Sequence, residues 1–267
     1  MSRKAAGGTK NIKPRLVRRK KHHSLCESNS SKGIIAMPDG GIIAQNVALI
    51  KNNILKAQAG PRAAGRVQLL AVTKTVDCPR IRQALSCGVT LLGENRVQEL
   101  LAKYAEIPDA RWHLIGHLQT NKVKYIIDKA AMIQSLDSWH LAEEIQKRAA
   151  ACGRVMPVLA QVNIADDENK FGLSAAETES FLRQVSGLPN LKVEGLMTIG
   201  PYCQNPEDIR PVFAEMKALF DGLKRKDIPG VSLRTLSMGM SHDYAVAVEE
   251  GANLVRVGSA VFGSRSN

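Results

Sequence analysis

The chain has 267 residues, 44% of them apolar and 23% charged, which is the composition of an ordinary globular protein. Its apolar runs are shorter than the roughly eighteen residues that a membrane-spanning helix requires, so the sequence argues against a membrane protein. The net charge of +12 suggests a nucleic-acid partner, but ten lysines and arginines and a single acid, Glu27, lie in residues 1–35. Nine of the twelve net positive charges belong to that segment, and the rest of the chain lacks the charge expected of a duplex-binding surface.

Residues 1–45 read as a basic extension with little apolar material from which to build a core. A turn-rich stretch, residues 38–41, marks its end. We predict a disordered tail. An organelle transit peptide and a nucleic-acid-binding tail around residues 13–21 remain alternatives, because the segment is rich in Arg and Ser and poor in acids.

Five cysteines are scattered along the chain without a C-x-x-C pair. They are Cys26, Cys78, Cys87, Cys152 and Cys203. An odd number at irregular spacing predicts reduced thiols and a cytoplasmic location.

From about Asn46 the apolar residues recur with helical period up to a break at Gly60-Pro61, and strand-like and helix-like segments alternate after that. The predicted strands are Gln68–Thr73, Thr90–Leu92, Trp112–Ile115, Met132–Leu136, Val155–Val162, Val193–Ile199, Arg234–Met238 and Leu254–Val257. The predicted helices between them include Arg80–Ser86, Arg96–Ala105, Trp139–Ala151, Ala175–Val185 and Pro206–Arg225. Eight such units in residues 46–267 favour one closed α/β barrel of the (β/α)8, TIM type over an open doubly wound sheet.

In such a barrel the chemistry gathers where the strands end, so the polar residues after each apolar run matter most. Lys74 follows the first strand directly. The loops after strands seven and eight carry Gly239, Ser241 and Gly258-Ser259, whose backbone N–H groups and hydroxyls suit a phosphate. Ordinary turn residues are the alternative for either loop alone.

Arg256 interrupts the last apolar strand, where a guanidinium needs an acceptor. Its partner could be an acid such as Glu94, in a structural salt bridge, or a bound ligand, and the sequence leaves both alternatives open.

His113 and His117 are four apart, but they span a strand and its exit, so the spacing argues against a zinc pair.

An amine at one strand end, facing a phosphate cradle across the barrel mouth, fits a ligand with an aldehyde and a phosphate. Pyridoxal 5′-phosphate is such a ligand, and Arg256 would then donate to its ring nitrogen.

Seven blocks of sequence, in order, carry a family resemblance over residues 46–265. They read AVTKT, GENRVQE, WHLIGHLQTNK, QVNIADDENKFG, EGLMTIG, LSMGMSHD and VRVGSAVFG. The chain resembles the pyridoxal phosphate homeostasis protein family, the YggS/PROSC type, which is similar in fold to the barrel domain of alanine racemase, the fold type III of cofactor enzymes.

The resemblance implies specific roles. Lys74 corresponds to the Schiff-base lysine, Asn95 to a residue near the cofactor and Arg256 to the partner of the ring nitrogen. The phosphate contacts correspond to Ser241, Gly258 and Ser259, with Met240 beside them. Arg96 stands where many relatives carry tyrosine, and the family's N-terminal helix should begin near Asn46.

We expect a protein that holds the cofactor without established catalytic turnover. An arginine beside the ring nitrogen disfavours protonation of that nitrogen, so the cofactor would be a weak electron sink. The printed sequence stops at Asn267, soon after the last strand, which predicts that the second domain of a racemase is lacking. The role implied by the resemblance is intracellular homeostasis of pyridoxal phosphate by a monomer, with apo-enzymes as possible recipients and no nucleic-acid or membrane partner. A vestigial amino-acid racemase and a nucleic-acid-binding protein acting through the extension are the alternatives.

Overall fold

A computed structural model describes residues 41–167 and 169–263 of the chain. All of them belong to the second of two units into which the chain divides, with the boundary after Ile35. The predicted disordered tail and its two alternatives concern residues that lie almost entirely outside the described ranges.

Strands and helices alternate along the described residues. The strands are β1 Gln68–Val72, β2 Leu91–Glu94, β3 Arg111–Leu114, β4 Met132–Leu136, β5 Met156–Gln161, β6 Leu191–Met197, β7 Val231–Ser237 and β8 Leu254–Val257. The helices are α1 Ile42–Ala57, α2 Cys78–Ser86, α3 Val97–Glu106, α4 Val123–Ile126, α5 Trp139–Ala151, α6 Ala175–Val185, α7 Arg210–Arg225, α8 Tyr244–Glu249 and α9 Ser259–Phe262. Short 3-10 turns lie at Thr120–Lys122 and Pro206–Ile209.

The strands pair in parallel in chain order, and β8 pairs with β1, so the sheet closes into a barrel. The predicted (β/α)8 fold is therefore confirmed. Each predicted strand is present, and β4 and β8 have the predicted bounds. Helix α1 begins at Ile42, earlier than the predicted start near Asn46, because Ile43 and Ala44 are already buried against the barrel.

Two hydrophobic clusters hold the barrel together. The strand residues that fill its interior are Leu70, Leu91, Met132, Leu159, Met197 and Leu254, joined by Ile115 just after β3. A larger cluster lies between the strands and the surrounding helices. Because the strands are covered on both faces, strands such as β1 and β5 are mostly apolar, which is the pattern from which they were predicted.

The chain leaves β1 through a turn that contains Lys74 and enters α2 at a defined point. The side chain of Asp77 accepts a hydrogen bond from the backbone N–H of Arg80 at 2.9 Å, and proline follows in the first turn of the helix. This N-cap satisfies a backbone donor that the helix itself cannot pair. It fixes the chain three residues beyond Lys74.

None of the helices in the described ranges is long and apolar enough to cross a bilayer.

Four of the five cysteines fall within those ranges, and all four are free thiols, as predicted. The fifth, Cys26, lies outside them.

Candidate functional site

Lys74 lies half-buried in the turn that follows β1, at the carboxyl-terminal end of the barrel. A hydrogen bond holds the backbone N–H of each of its two neighbours. The N–H of Thr73 donates to the carbonyl of Gly93 at 2.9 Å, and the N–H of Thr75 donates to a carboxylate oxygen of Glu99 at 3.0 Å. Thr75 has a φ of 64°, which is strained for a β-branched residue, so the surrounding contacts must enforce the turn.

A buried ionic cluster lies beneath this turn. The Nζ of Lys103, on α3, donates to the carbonyl of Thr73 and to Oε1 of Glu94, both at 2.6 Å, and the Thr73 hydroxyl donates to the same Oε1 at 2.6 Å. Glu94 is fully buried, and burial raises the pKa of its carboxyl although the bonds from Lys103 and Thr73 oppose the shift. The cluster joins α3, the end of β2 and the turn around Lys74.

Sequence reasoning missed this cluster. Glu99 and Lys103 are four apart on a predicted helix, which indicates an ion pair, and they do approach to 3.4 Å. Nothing in that spacing shows that Lys103 turns inward to reach Glu94 and the backbone of Thr73.

The loops after β7 and β8 come together through the hydroxyl of Ser241. Its Oγ accepts hydrogen bonds from the backbone N–H of Gly258 at 3.0 Å and from that of Ala260 at 3.3 Å. Gly239 has a φ of +88°, and a Cβ there would lie 2.5 Å from the Cβ of Ala247, so glycine alone fits the bend. Ser259 begins α9, directly after Gly258.

Met240 lies on the exposed rim of these loops, and a buried acid holds its backbone. The N–H of Met240 donates to Oδ1 of Asp243 at 2.5 Å. Burial raises the pKa of Asp243, and the bond from Met240 and the charge of Arg256 oppose that shift. Asn95 lies half-buried between β2 and α3, where a Cβ on Gly116 would meet its backbone at 2.4 Å.

Arg256 is buried in the barrel interior, and it does not form the salt bridge to Glu94 that the sequence left open. Its Nη1 donates to Oγ of Ser237 at 2.7 Å and its Nη2 to the carbonyl of Thr198 at 2.6 Å. Glu94 cannot serve as its partner because it lies on the outward side of β2, beside Lys103. Burial lowers the pKa of Arg256 to about 10, so the guanidinium remains charged at neutral pH.

The two histidines of the HLIGH segment have separate environments. His113 is buried in β3, and its Nδ1 lies 2.9 Å from Nε2 of Gln134. His117 lies after the strand, 3.4 Å from Asp137, and stacks on Phe171 at 3.8 Å between ring centroids. No group of three or more potential metal ligands occurs within the residues that the structure describes.

The residues predicted for the site follow four neighbouring strands. Strand β8 lies between β7 and β1, and β2 follows β1. Leu70 pairs with Arg256 in register, and a Cβ on Gly258 would meet the backbone oxygen of Val72 at 3.3 Å. The loops after β7 and β8, which are the predicted phosphate-binding loops, therefore lie beside the Lys74 turn. The prediction that they face it across the mouth was wrong, because closure of the barrel makes the first and last strands neighbours.

Comparison with known proteins places this geometry in a family. The family model described as alanine racemase, N-terminal domain, matches residues 45–266. A pyridoxal phosphate homeostasis protein of Aquifex aeolicus is 46% identical over 224 residues, which cover 83% of this chain and 97% of that protein. The protein of the same name from Pasteurella multocida is 38% identical over 229 residues, covering 84% and 97%.

Solved structures agree with these sequence matches. PipY of Synechococcus elongatus, solved with PLP bound, superposes with a TM-score of 0.73 at 36% identity, covering 83% of this chain and all of that one. A protein of Bifidobacterium adolescentis superposes with a TM-score of 0.78, also at 36% identity, covering 82% and 94%. Alanine racemase of Clostridium difficile, at 16% identity and a TM-score of 0.62, shares the fold over 84% of this chain and 57% of its own. The chain therefore belongs to the pyridoxal phosphate homeostasis protein family, built on the barrel of the alanine racemase N-terminal domain.

Proposed function

We propose that this protein binds pyridoxal 5′-phosphate at the carboxyl-terminal mouth of its barrel and takes part in the intracellular homeostasis of that cofactor. The observation that carries the proposal is the adjacency of the Lys74 turn and the two loops joined by Ser241, on strands β7, β8 and β1. The amine of Lys74 and two loops suited to a phosphate therefore lie at the same end of the barrel. The relative whose structure contains PLP has the same fold.

The residues present fit the cofactor. A Cβ on Gly239 would overlap Ala247, and one on Gly258 would press on Val72, so glycine lets both loops pack closely at this end of the barrel. Ser241, Gly258 and Ser259 would hold the phosphate, and Met240 would lie beside it. Asn95, at the end of the neighbouring strand β2, would flank the ring.

When bound, pyridoxal phosphate would supply an aldehyde group, and Lys74 would be the residue whose amine holds it. The chain's own contribution is to hold Lys74 in place. Glu99 and Lys103 fix the backbone on either side of it, and the half-buried turn limits the access of water.

Arg256 supports a binding role without turnover. Its Nη atoms are held by Ser237 and Thr198, and its pKa of about 10 keeps it charged at neutral pH. A permanent cation beside the ring nitrogen opposes protonation of that nitrogen, so the carbanions of racemase chemistry would gain little stabilisation. We expect a cytoplasmic monomer that supplies apo-enzymes.

Borohydride reduction tests the proposal. The purified protein should show the visible absorbance of a lysine-bound cofactor, and reduction should leave an adduct of about 231 daltons, the mass of a pyridoxyl phosphate group, on the peptide that contains Lys74. The variant Lys74→Ala should lose both the absorbance and the adduct. Lys147→Ala, which removes an exposed lysine on α5, is the matched control and should retain them.

Turnover is measured separately, as exchange of the α-proton of alanine in deuterated water. We expect no exchange above that of Lys74→Ala. Exchange that depends on Lys74 would instead support the racemase-like alternative, and an adduct on another lysine would contradict the assignment of the site.

A further inference from the structure

A cavity lies at the amino-terminal end of the barrel, opposite the mouth that contains Lys74. Its volume is about 490 Å³, within the range of small-molecule sites. Every strand except β5 contributes to it, directly or through the residue just before the strand. The interior cluster that includes Leu70 and Leu159 fills the barrel between the two ends.

The charges around this cavity are unbalanced. Three arginines line it, Arg66, Arg111 and Arg234, with one acid, Glu194. Arg234 is ion-paired with Glu194. Within the described residues, Arg66 and Arg111 have neither an ion pair nor a hydrogen bond, so two guanidinium groups at this end lack a counter-charge.

A buried histidine also lines the cavity, and a chain of hydrogen bonds sets its tautomer. Arg256 can only donate, so the Ser237 hydroxyl that receives its bond must donate onward to Oε1 of Gln134, at 2.8 Å. The amide of Gln134 then donates to Nδ1 of His113. The remaining proton of the neutral imidazole is therefore on Nε2.

That Nε2–H is an unsatisfied donor. His113 is 3% exposed, and its Nε2 has no hydrogen-bond partner among the described residues. A buried donor without an acceptor is costly, and a ligand oxygen would relieve the cost. His113 and Arg111 are both on β3, two residues apart and hence on the same side of the strand.

We propose that this cavity binds the oxyanion group of a small molecule, a phosphate or a carboxylate, through Arg66, Arg111 and the Nε2–H of His113. Both anions present oxygens to a fork of donors, which is the recognition that guanidinium groups favour. The site is separate from the Lys74 mouth. A ligand bound there would be linked to Arg256 through Gln134, whose Oε1 accepts from the Ser237 hydroxyl, and through Ser237, whose Oγ accepts from the Arg256 guanidinium.

Nuclear magnetic resonance of the histidine rings, on the full-length protein, tests the proposal. Inorganic phosphate and, separately, malonate are titrated at constant ionic strength while the His113 ring is followed. Its signals are identified because its pKa of about 3 keeps it neutral where exposed histidines titrate. We expect a saturable shift of the Nε2–H resonance with at least one of the two anions, and the active anion assigns the ligand class.

Arg66→Ala and Arg111→Ala should each weaken this binding by about tenfold, the loss expected for one charge-assisted hydrogen bond. Both side chains are exposed, so the variants should fold. Arg82→Ala, which removes an arginine on α2 that does not line the cavity, should bind as the wild type does. No saturable shift with either anion, or an equal loss in Arg82→Ala, would overturn the proposal. Phosphate bound only at the Lys74 mouth would give a shift that Arg66→Ala and Arg111→Ala leave unchanged, which would also overturn the proposal.

Discussion

His113 is a histidine that the fold keeps neutral. Burial lowers its pKa to about 3, and the nearby positive charge of Arg111 adds to the shift. In the unfolded chain the pKa returns to about 6.5. At pH values between these two, the unfolded chain binds a proton that the native protein does not, so stability falls as the pH falls through this window.

We therefore expect His113 to contribute about 1.4 kcal/mol of unfolding free energy per pH unit between roughly pH 6 and pH 4. Urea denaturation at a series of pH values, in chloride without phosphate, measures the slope. The variant His113→Gln should flatten it by that amount. His140→Gln, at an exposed position on α5, should not, and equal slopes for wild type and His113→Gln would contradict the assigned pKa.

Helix α3 fixes the turn around Lys74 through one buried lysine. Lys103 neutralises Glu94, which is fully buried, and holds the carbonyl of Thr73. Removing one partner of a buried ion pair leaves the other charge uncompensated, whereas replacing both with apolar side chains does not. We therefore expect Lys103 to act on the proposed Lys74 site by positioning the turn, without contact with the cofactor.

Lys103→Met should lower the unfolding free energy by about 3–5 kcal/mol, and the double variant Lys103→Met with Glu94→Leu should recover much of that loss. Both should bind pyridoxal phosphate more weakly than wild type, because the carbonyl of Thr73 loses its donor. Denaturation and visible absorbance are measured side by side, with Lys147→Met as the control for losing an exposed lysine. Unchanged cofactor affinity in the folded double variant would show that the cluster stabilises the barrel without positioning Lys74.

The pairing between the consecutive strands β7 and β8 is short. Ser237 and Leu254 form the single register pair found there in the described chain, compared with four pairs between β8 and β1. Asn253 reinforces this contact. Its Oδ1 accepts from the N–H of Leu236 at 2.7 Å, and its Nδ2 donates to the carbonyl of Arg234 at 2.6 Å.

Asn253→Ala should lower the unfolding free energy by about 1–3 kcal/mol, because it leaves two backbone groups of β7 without partners. Thermal denaturation should show a Tm lower by several degrees, as expected for a domain of this size. Asn52→Ala, on helix α1, makes the same chemical change away from the sheet and should leave the Tm unchanged or slightly higher. A Tm for Asn253→Ala equal to that of wild type would mean that closure does not depend on this side chain.

Much of this architecture is visible in the sequence because it is local. Alternating apolar runs and amphipathic segments predicted the eight strands, and the position of Lys74 after the first of them followed directly. The positions of Gly239, Ser241 and Gly258 after the last two strands also followed from the sequence, and their role as an anion-binding site stays a prediction. These features depend on residues close together in the chain.

What the sequence determined by itself is the order of the elements, their apolar faces and the residues at the strand ends, because side-chain periodicity is set within a few positions. Tertiary structure alone decided that β8 lies beside β1, so that the phosphate-type loops flank Lys74. It also decided that Arg256 bonds to Ser237 and Thr198, that Lys103 reaches Glu94, and that two arginines without a counter-charge meet a buried histidine at the far end. Each of these contacts joins different elements of the fold, and only the packing of strands and helices into the barrel brings those elements within bonding distance.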